Sequence, residues 1–315
     1  MHVGTDCSGI EGPVQALRNL GIQHRHVFSS ETNQFCIKSI KANYKPEVLY
    51  GDPESSTPNG DITCRDNKNT PPCDLYVAGF PCQPFSLPGS RKGLNDIRGT
   101  VFEACLDYIR TQRPKFFVLE NVKNLIHIEN GSVFQYILGE INRIPDYAVS
   151  HTVLNTKDYG IPQSRNRIYI VGIRGSDYPF VFPEPIPCLS LESFVDWDDR
   201  TPSTEPRAQL CKDISNKLRQ RNLPGAFFDQ LHMQYSKKDP INKRGYPCAP
   251  CILCNSYIWC VPMNRRASHK ELLQLQGFPK DFVIDVSDTN FRKQIGNAMS
   301  VNVLEALFSK LLLSV

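Results

Sequence analysis

Two reactive side chains follow neighbouring apolar segments of the sequence. Cys82 comes directly after the run Leu75–Phe80 and stands between two prolines, and the run Phe117–Leu119 ends in Glu120. Because the carboxyl ends of neighbouring strands in an α/β sheet meet at one edge, the two side chains can share a cleft. A cysteine nucleophile beside a carboxylic acid suits addition to an electron-poor ring, with the acid hydrogen-bonding a ring nitrogen. On spacing alone, a structural cysteine and a surface or helix-capping carboxylate remain open alternatives.

The elements that would hold these side chains are those of an α/β fold. The first ~175 residues alternate short apolar runs with helical patterns, which is typical of a doubly wound parallel sheet. The predicted strands are His2–Thr5, Arg25–Ser30, Leu75–Gly79, Lys115–Glu120, Val149–Leu154 and Arg167–Ile173. Helical periodicity is present at residues 14–20, ended by Gly21, and at 102–109. Further on, residues 268–271 form a capping-box pattern, and residues 297–313 are predicted to form one final helix.

Composition is that of an ordinary folded protein. The chain has 315 residues (35.7 kDa), of which 40% are hydrophobic and 22% charged, which excludes a disordered, collagenous or coiled-coil chain. No apolar run approaches the ~20 residues that span a bilayer, and the N-terminus lacks a signal-peptide pattern. A soluble intracellular protein is therefore expected, with most of its twelve cysteines as reduced thiols.

Basic residues are concentrated in one segment. The net charge is +4, but residues 207–244 carry nine basic and three acidic side chains, a balance of +6, so the other residues sum to −2. Such a block is typical of a surface that contacts a phosphate backbone, although a solvated helix face gives the same count. Four prolines between residues 179 and 187 precede the block and predict a boundary between two lobes.

Six short motifs occur in the order found in one enzyme family. They are PCQPFS (Pro81–Ser86), RGT (Arg98–Thr100), ENV (Glu120–Val122), QSRNR (Gln163–Arg167), LQGFP (Leu275–Pro279) and QIGNAMSVNV (Gln294–Val303). In these motifs the chain resembles the DNA cytosine-5 methyltransferases over nearly its whole length, least so between about residues 175 and 247. The resemblance implies a Rossmann-like, S-adenosylmethionine-dependent methyltransferase sheet with a small, variable target-recognition lobe. Its implied organisation is a catalytic and cofactor-binding lobe at 1–175, the target-recognition lobe at 176–255 and a return to the catalytic lobe at 256–315.

The resemblance also implies a catalytic mechanism. Cys82 would attack carbon 6 of a cytosine flipped out of DNA, and carbon 5 would then take a methyl group from S-adenosylmethionine. Glu120 would hold the nitrogen edge of the base, while Arg165 and Arg167 would reach the base oxygen and a phosphate. DNA contacts are expected in the glycine-punctuated loop after the nucleophile, in the QSRNR motif and in the basic block, at Ser86, Arg91, Lys92, Arg98, Gln163, Lys237, Lys238, Lys243 and Arg244.

Cofactor contacts are implied by the same resemblance. The family's glycine turn after the first strand corresponds to residues 6–12 (DCSGIEG), in which Cys7 replaces a phenylalanine and Glu11 a glycine. Glu31 fits the acid that receives the ribose hydroxyls, and Asp61, with Asp52 as a competitor, fits the acid beside adenine. The pocket is expected to comprise Cys7, Ser8, Gly9, Ile10, Gly12, Glu31, Thr32, Asp61, Ile62, Gly79, Val101, Asn297 and Ala298.

The expected partner is double-stranded DNA, with no membrane association, and the protein is expected to be a monomer. Its compartment would be the cytoplasm of a bacterium, or the nucleus or viral factory for a eukaryotic or viral source. Two alternatives remain open: a tRNA cytosine-5 methyltransferase, although Ser86 stands where that branch has threonine, and an inactive DNA-binding relative. No metal is expected, although a zinc site could use the spacing of Cys248, Cys251, Cys254 and Cys260.

Overall fold

A seven-stranded sheet forms the centre of the protein. The computed structural model describes residues 1–81, 101–201, 208–220, 227–229 and 248–312. The strands of this sheet are β1 (His2–Asp6), β2 (Arg25–Ser30), β3 (Val48–Tyr50), β4 (Leu75–Ala78), β5 (Phe116–Val122), β6 (Tyr147–Asn155) and β7 (Asn166–Arg174). Their order across the sheet is β3-β2-β1-β4-β5-β7-β6. The predicted α/β class is confirmed.

Helices cover both faces of the sheet. Within the described residues they are α1 (Gly12–Asn19), α2 (Gln34–Asn43), α3 (Val101–Gln112), α4 (Ser132–Asn142), α5 (Ala208–Gln220), α6 (His269–Leu275), α7 (Asp288–Asn297) and α8 (Val301–Leu312). Helices α1, α2 and α8 share one apolar core, and α3 and α4 lie in the other. Because side chains alternate along a strand, Val77 of β4 joins the first core and Tyr76 the second. None of the described helices is long and apolar enough to cross a membrane.

The predicted parallel sheet contains one antiparallel strand. Strands β3, β2, β1, β4 and β5 are parallel neighbours, whereas β7 is antiparallel to both β5 and β6. Only residues 156–165 connect β6 to β7, which is too short for a helical crossover and sufficient for a reversal. The edge strand β3 was absent from the prediction because its three residues carry too little pattern.

The predicted helix over residues 297–313 is divided by a turn. Asn297 is the last residue of α7, and α8 begins only at Val301. Ala298 between them is extended (φ −61°, ψ 147°), and its carbonyl accepts a hydrogen bond from Nη2 of Arg165 at 2.7 Å. This contact with a distant part of the chain stabilises the turn, and the apolar periodicity of α8 could not indicate it.

The predicted capping box is confirmed at the start of α6. Ser268 Oγ accepts from the backbone N–H of Glu271 at 3.2 Å, and the Glu271 carboxylate accepts from the backbone N–H of Ser268 at 2.8 Å. Glu271 is also fully buried against Arg265, with 2.9 Å between Nη1 and Oε2. One glutamate thus caps the helix and neutralises a buried arginine.

A small antiparallel sheet lies outside the central one. It consists of β8 (Phe227–Asp229), β9 (Ile258–Cys260) and β10 (Arg265–Arg266), with β9 in the middle. Trp259 of β9 is fully buried, and its Nε1 donates to Ser215 Oγ of α5 at 3.2 Å. Residue 255 is the predicted end of the target-recognition lobe, and the small sheet combines β8, which precedes it, with β9 and β10, which follow it. The predicted limits of the lobe remain a prediction.

Candidate active site

Three parallel strands end side by side and place the first site residues together. Asp6 of β1 is paired with Ala78 of β4, and Ala78 with Leu119 of β5. The next residue along each strand is therefore Cys7, Gly79 or Glu120, all at the carboxyl edge of the sheet. This is the edge at which open α/β sheets bind their ligands.

Gly79 lies where these segments come closest. A Cβ atom at this position would be 2.7 Å from Cε of Met299, 3.1 Å from the carbonyl oxygen of Cys7 and 3.8 Å from Oε2 of Glu120. A larger residue would push the end of the Met299 side chain aside and crowd the carbonyl oxygen of Cys7, so close packing favours glycine here. The same distances bring together the turn after β1, the end of β5 and the turn between α7 and α8.

A ring contact and a hydrogen bond fix the backbone just before Cys82. Phe80 is buried against Phe102 of α3, with ring centroids 5.3 Å apart, and its carbonyl accepts from Nδ2 of Asn121 at 2.8 Å. Pro81 is exposed, and Cys82 itself lies outside the described residues. Asn121 was not among the predicted site residues, although the ENV motif contains it. Its amide fixes the backbone two residues before the predicted nucleophile, directly beside Glu120.

Glu120 and Arg167 form an ion pair at this edge. Nε of Arg167 lies 3.2 Å from Oε1 of Glu120, and their side chains are only 11% and 12% exposed. In the antiparallel register Arg167 faces Val122, so the two residues are diagonal neighbours on one face. Burial raises the pKa of Glu120, and the positive charges of Arg167 and Arg165 act in the opposite direction. The structure thus holds a carboxyl group that can carry a proton beside a fixed cation.

Arg165 does not fit the predicted contact with a base or phosphate. It is 2% exposed, and its guanidinium donates to the carbonyls of Ile252 (2.8 Å), Gly296 (3.2 Å) and Ala298 (2.7 Å). Nη1 and Nη2 are therefore occupied by backbone acceptors. Arg165 instead joins three separate segments behind the site, and of the two predicted arginines only Arg167 stands next to Glu120.

Gln163 does not fit the predicted contact with DNA either. Its side chain is completely buried, and Nε2 donates to the carbonyl of Leu275 at 2.6 Å. Its Oε1 accepts from the backbone N–H of Ile252 at 3.0 Å. With both ends of the amide used inside the protein, Gln163 connects the β6–β7 turn to α6, and its contact with DNA stays a prediction.

The turn between β1 and α1 has an unusual backbone. Cys7, Gly9 and Glu11 all have positive φ values (52°, 66° and 62°), so two of the three left-handed positions carry a side chain. A Cβ on Gly12 would lie 3.1 Å from the carbonyl oxygen of Met299, so the turn also needs its last glycine. Burial raises the pKa of the Cys7 thiol well above its usual value, which favours the protonated thiol.

Glu31 faces this turn from the end of β2. Its carboxylate accepts from the backbone N–H groups of Thr32 (2.8 Å) and Asn33 (3.0 Å). Burial raises its pKa, while hydrogen bonds from backbone N–H groups lower it. Glycines at 51 and 60 leave room for the Glu31 carbonyl oxygen, with which any Cβ there would collide. Glu31 is thus held in one orientation across from the glycine turn.

Asp61 fits the predicted place in the pocket better than Asp52 does. The carboxylate of Asp52 forms an ion pair with Nζ of Lys41 at 3.0 Å and accepts from the backbone N–H of Glu54. Its charge is therefore already neutralised by a neighbouring side chain. Asp61 caps the short 3-10 turn Ile62–Cys64 through one oxygen only, accepting from the backbone N–H of Thr63 at 2.9 Å. Ile62 is buried beneath the turn.

The remaining cofactor predictions lie around the same edge. Thr32 is exposed beside Glu31, and Val101 is half-buried at the first residue of α3. Asn297 is exposed at the end of α7, whereas Ala298 is buried. The predicted DNA-contacting residues other than Gln163 lie outside the described residues: Ser86, Arg91, Lys92, Arg98, Lys237, Lys238, Lys243 and Arg244.

An arginine that no sequence pattern singled out fixes the Asp61 turn. Arg65 makes a two-pronged ion pair with Asp6, with 2.7 Å at both nitrogens, and the pair is almost completely buried. The guanidinium also lies 5.2–5.6 Å from the ring centres of Phe28, Tyr50 and Tyr108. Because Asp6 is the last residue of β1, this pair ties the turn at 61–65 to the strand that leads into the glycine turn.

We expect Arg65→Met to destabilise the protein strongly. The change leaves the Asp6 carboxylate buried without its cation, which costs about 3–5 kcal/mol of unfolding free energy. Urea unfolding followed by tryptophan fluorescence measures the loss. The matched control is Arg25→Met, because the Arg25–Glu47 pair is exposed (65% and 44%) and worth at most about 1 kcal/mol. Equal losses in the two variants would contradict a special role for Arg65.

The four clustered cysteines of the sequence have different surroundings in the structure. Cys260 is buried in β9, Cys254 is exposed, and Cys251 Sγ lies 3.6 Å from Nη1 of Arg165. Cys248 is next to Cys188, a thiol from a different segment. No group of three or more histidine, cysteine or acidic residues that could hold a metal ion occurs among the described residues.

Comparison with known proteins defines the class of enzyme. A family model described as C-5 cytosine-specific DNA methylase matches residues 6–312. The Type II methyltransferase M1.ScrFI of Lactococcus lactis subsp. cremoris is 36% identical over 298 residues, which cover 91% of this chain and 72% of that protein. The Type II methyltransferase M.NgoBI of Neisseria gonorrhoeae is 36% identical over 309 residues, covering 95% and 89%. The chain therefore belongs to the C-5 cytosine-specific DNA methylase family, and the predicted enzyme class, a DNA cytosine-5 methyltransferase, is confirmed.

Solved structures support the fold independently. The Dnmt2 methyltransferase of S. pombe superimposes with a TM-score of 0.67 at 17% identity, over 100% of this chain and 99% of that one. The methyltransferase EhMeth of Entamoeba histolytica gives a TM-score of 0.65 at 17% identity, over 100% and 98%. At such low identity the likeness concerns the fold alone, and it confirms the Rossmann-like methyltransferase sheet predicted from the sequence.

Proposed function

We propose that this protein transfers a methyl group from S-adenosylmethionine to carbon 5 of a cytosine flipped out of double-stranded DNA, through a covalent adduct between Cys82 and carbon 6. The observation that carries the proposal is the buried Glu120–Arg167 pair, 3.2 Å apart, beside the anchored segment Gly79–Pro81. This segment leads directly into Cys82. An acid that can be protonated, a fixed cation and an adjoining thiol are the groups that addition to a cytosine ring requires.

The residues around the glycine turn fit S-adenosylmethionine. Glu31 presents a carboxylate, the group that accepts from both hydroxyls of a ribose. One oxygen of Asp61 has no hydrogen bond within the described part of the chain, which leaves it for the adenine amino group. Ser8 Oγ is buried in the turn and has no hydrogen-bond partner among the described residues, as a ligand-facing hydroxyl would. When bound, this cofactor supplies a methyl group on a positively charged sulfur.

The chain's own residues perform the remaining steps. The Cys82 thiolate forms a bond with carbon 6, and the electron pair of the 5,6 double bond moves towards the ring nitrogen that Glu120 holds and protonates. Carbon 5 becomes nucleophilic and would take the methyl group as the bond from that group to the donor sulfur breaks, which leaves a neutral thioether, while Glu120 takes back the proton of the ring nitrogen. Loss of the carbon 5 proton to a base then restores the double bond and expels Cys82. Arg167 orients the Glu120 carboxyl and presents a positive charge to the base oxygen.

The substrate in this proposal is a cytosine that has been flipped out of the DNA duplex. Carbon 6 of cytosine cannot be reached inside a duplex, so the target nucleotide must leave the stack. We assign contacts with the DNA backbone to the loop that follows Cys82 and to residues 237–244 of the basic block, and target recognition to the lobe at 176–255. The protein acts as a monomer on one target site in this proposal.

Methyl transfer to plasmid DNA tests the proposed function. The full-length protein is incubated with S-adenosylmethionine carrying a labelled methyl group, and bisulfite sequencing locates the product. We expect 5-methylcytosine at one short recognition sequence. DNA synthesised with 5-methylcytosine throughout is the matched control and should accept no label. Transfer to tRNA with none to DNA would replace this proposal by the RNA alternative, and binding of DNA without any transfer would favour an inactive relative.

A further inference from the structure

The guanidinium of Arg65 joins the ends of two neighbouring strands. Nη1 and Nη2 each donate to one carboxylate oxygen of Asp6, the last residue of β1, at 2.7 Å. Nη1 also donates to Oγ of Ser30, the last residue of β2, at 2.5 Å. The next residues along the chain are Cys7, which begins the glycine turn, and Glu31, to which we assign the ribose hydroxyls. One side chain therefore fixes the points at which both strands lead into the proposed cofactor pocket.

Arg65 also belongs to the segment that carries Asp61. The short 3-10 turn Ile62–Cys64 begins after Asp61 and ends at Arg65, whose backbone N–H donates to the carbonyl of Ile62 at 3.3 Å. Its Nε donates to Oδ1 of Asn67 at 3.0 Å, so the backbone and the side chain of Arg65 are both held. The three segments proposed to contact S-adenosylmethionine, namely the glycine turn, the end of β2 and the Asp61 turn, thus meet through one guanidinium.

The surroundings of this guanidinium leave it little freedom. The side chains of Arg65 and Asp6 are only 5% and 0% exposed, and Oδ2 of Asp6 accepts a further hydrogen bond from the hydroxyl of Tyr76 at 2.7 Å. The ring centres of Phe28 and Tyr50 lie 5.2 and 5.3 Å from the guanidinium carbon. A planar guanidinium in a two-pronged contact with a carboxylate and beside aromatic rings has one favourable orientation. All these contacts lie within the protein, so they fix the relative positions of the three segments.

We propose that Arg65 is a positioning residue for the S-adenosylmethionine pocket, which acts by holding the three segments that contact the cofactor. This inference rests on the proposed use of S-adenosylmethionine. A pocket whose parts already lie in their binding positions loses less conformational freedom when a ligand enters, so the ligand binds more tightly. The effect of Arg65 is therefore expected on binding of the cofactor rather than on the chemistry at Cys82 and Glu120.

The test separates positioning from stability by removing both charges of the buried pair. In the double variant Asp6→Asn/Arg65→Met no buried charge is left without a partner, so most of the stability that Arg65→Met loses is expected to return. The asparagine also keeps an acceptor for the hydroxyl of Tyr76. Urea unfolding measures the stability. Isothermal titration of the full chain with S-adenosylhomocysteine, the product form of the cofactor, measures Kd without turnover.

Affinity for the cofactor is expected to stay low in this double variant. Because the guanidinium no longer joins the three segments, we expect Kd to rise about tenfold despite the restored stability. Methylation rates should show a similar rise in KM for S-adenosylmethionine and a much smaller change in kcat. The matched control is Glu47→Gln/Arg25→Met, which changes an exposed pair at the other end of β2 and is expected to leave Kd and KM unchanged.

A second variant keeps the positive charge. In Arg65→Lys the ammonium group cannot make the two-pronged contact, so cofactor binding is expected to weaken here too. Wild-type affinity in either folded variant would assign Arg65 to structural support and overturn the proposal, and failure of both variants to fold would do the same. A loss confined to kcat would also overturn it. Wild-type protein that binds neither S-adenosylmethionine nor S-adenosylhomocysteine would instead refute the proposed use of this cofactor.

Discussion

Cys82→Ser is expected to abolish methyl transfer, with a loss of at least about 10⁴-fold in kcat, as is typical when a covalent nucleophile is removed. A hydroxyl ionises far less readily than a thiol, so serine cannot add to carbon 6 at neutral pH. Two measurements check this. Transfer of a labelled methyl group gives the rate, and denaturing electrophoresis detects the covalent complex with DNA containing 5-fluorocytosine, in which fluorine blocks release of the enzyme.

The control for this change is another cysteine. Cys188 is exposed and lies outside the proposed active site, so Cys188→Ser is expected to retain both the activity and the covalent complex. Binding of unmodified DNA by Cys82→Ser should persist, because no backbone contact is removed. A covalent complex that survives Cys82→Ser would exclude Cys82 as the nucleophile.

Glu120→Gln is expected to reduce kcat by about 10²–10⁴-fold, the usual contribution of a general acid. The amide keeps the shape of the side chain but cannot supply a proton to the ring nitrogen, and it removes the charge that Arg167 faces at 3.2 Å. Single-turnover methylation measures the chemical step. The covalent complex with 5-fluorocytosine DNA should still form, more slowly, because Cys82 is present.

The pH dependence separates the roles of Glu120 and Cys82. Since burial raises the pKa of Glu120, the protonated acid persists to higher pH than in an exposed glutamate. A step that needs this proton slows as the pH rises through that pKa, whereas formation of the Cys82 thiolate speeds the reaction as the pH rises. Wild-type enzyme is expected to show both limbs, and Glu120→Gln only the rising one.

Glu47→Gln provides the control for Glu120→Gln, because its carboxylate is exposed at the opposite edge of the sheet. Its pH profile and kcat should match those of the wild type. A falling limb that persists unchanged in Glu120→Gln would assign the titration to another group. A kcat within about threefold of the wild type would remove Glu120 from the proposed chemistry.

The sequence predicted most of the elements that position this site. For four of the six predicted strands, both the first and the last residue lie within one residue of the observed ones. The apolar runs of these strands are short and bounded by polar residues. Glu120 and Gly79 were expected at strand ends, and the structure brings both to one edge with Cys7. The capping box before α6 was equally predictable from the sequence, since its two partners are three residues apart.

Other outcomes depended on contacts between distant residues. Arg165 and Gln163 belong to one motif with Arg167, and their residue types alone are suited to contact DNA. Their partners lie 87–133 residues away for Arg165 and 89–113 for Gln163, and these partners bury both side chains. The pair of Arg65 with Asp6 likewise spans 59 residues. No local pattern indicates such contacts.

By itself, the sequence determined the fold class and the order of the motifs, because residue type and local periodicity fix strands and turns. Through the family resemblance it also predicted Cys82 as the nucleophile and Glu120 as its acid. Only the tertiary structure decided which polar side chains remain available to a ligand and which make hydrogen bonds within the protein. It placed Arg167 beside Glu120 and Arg165 among backbone carbonyls. The physical reason is that burial and hydrogen-bond partners depend on segments far apart in the chain, which only packing brings together.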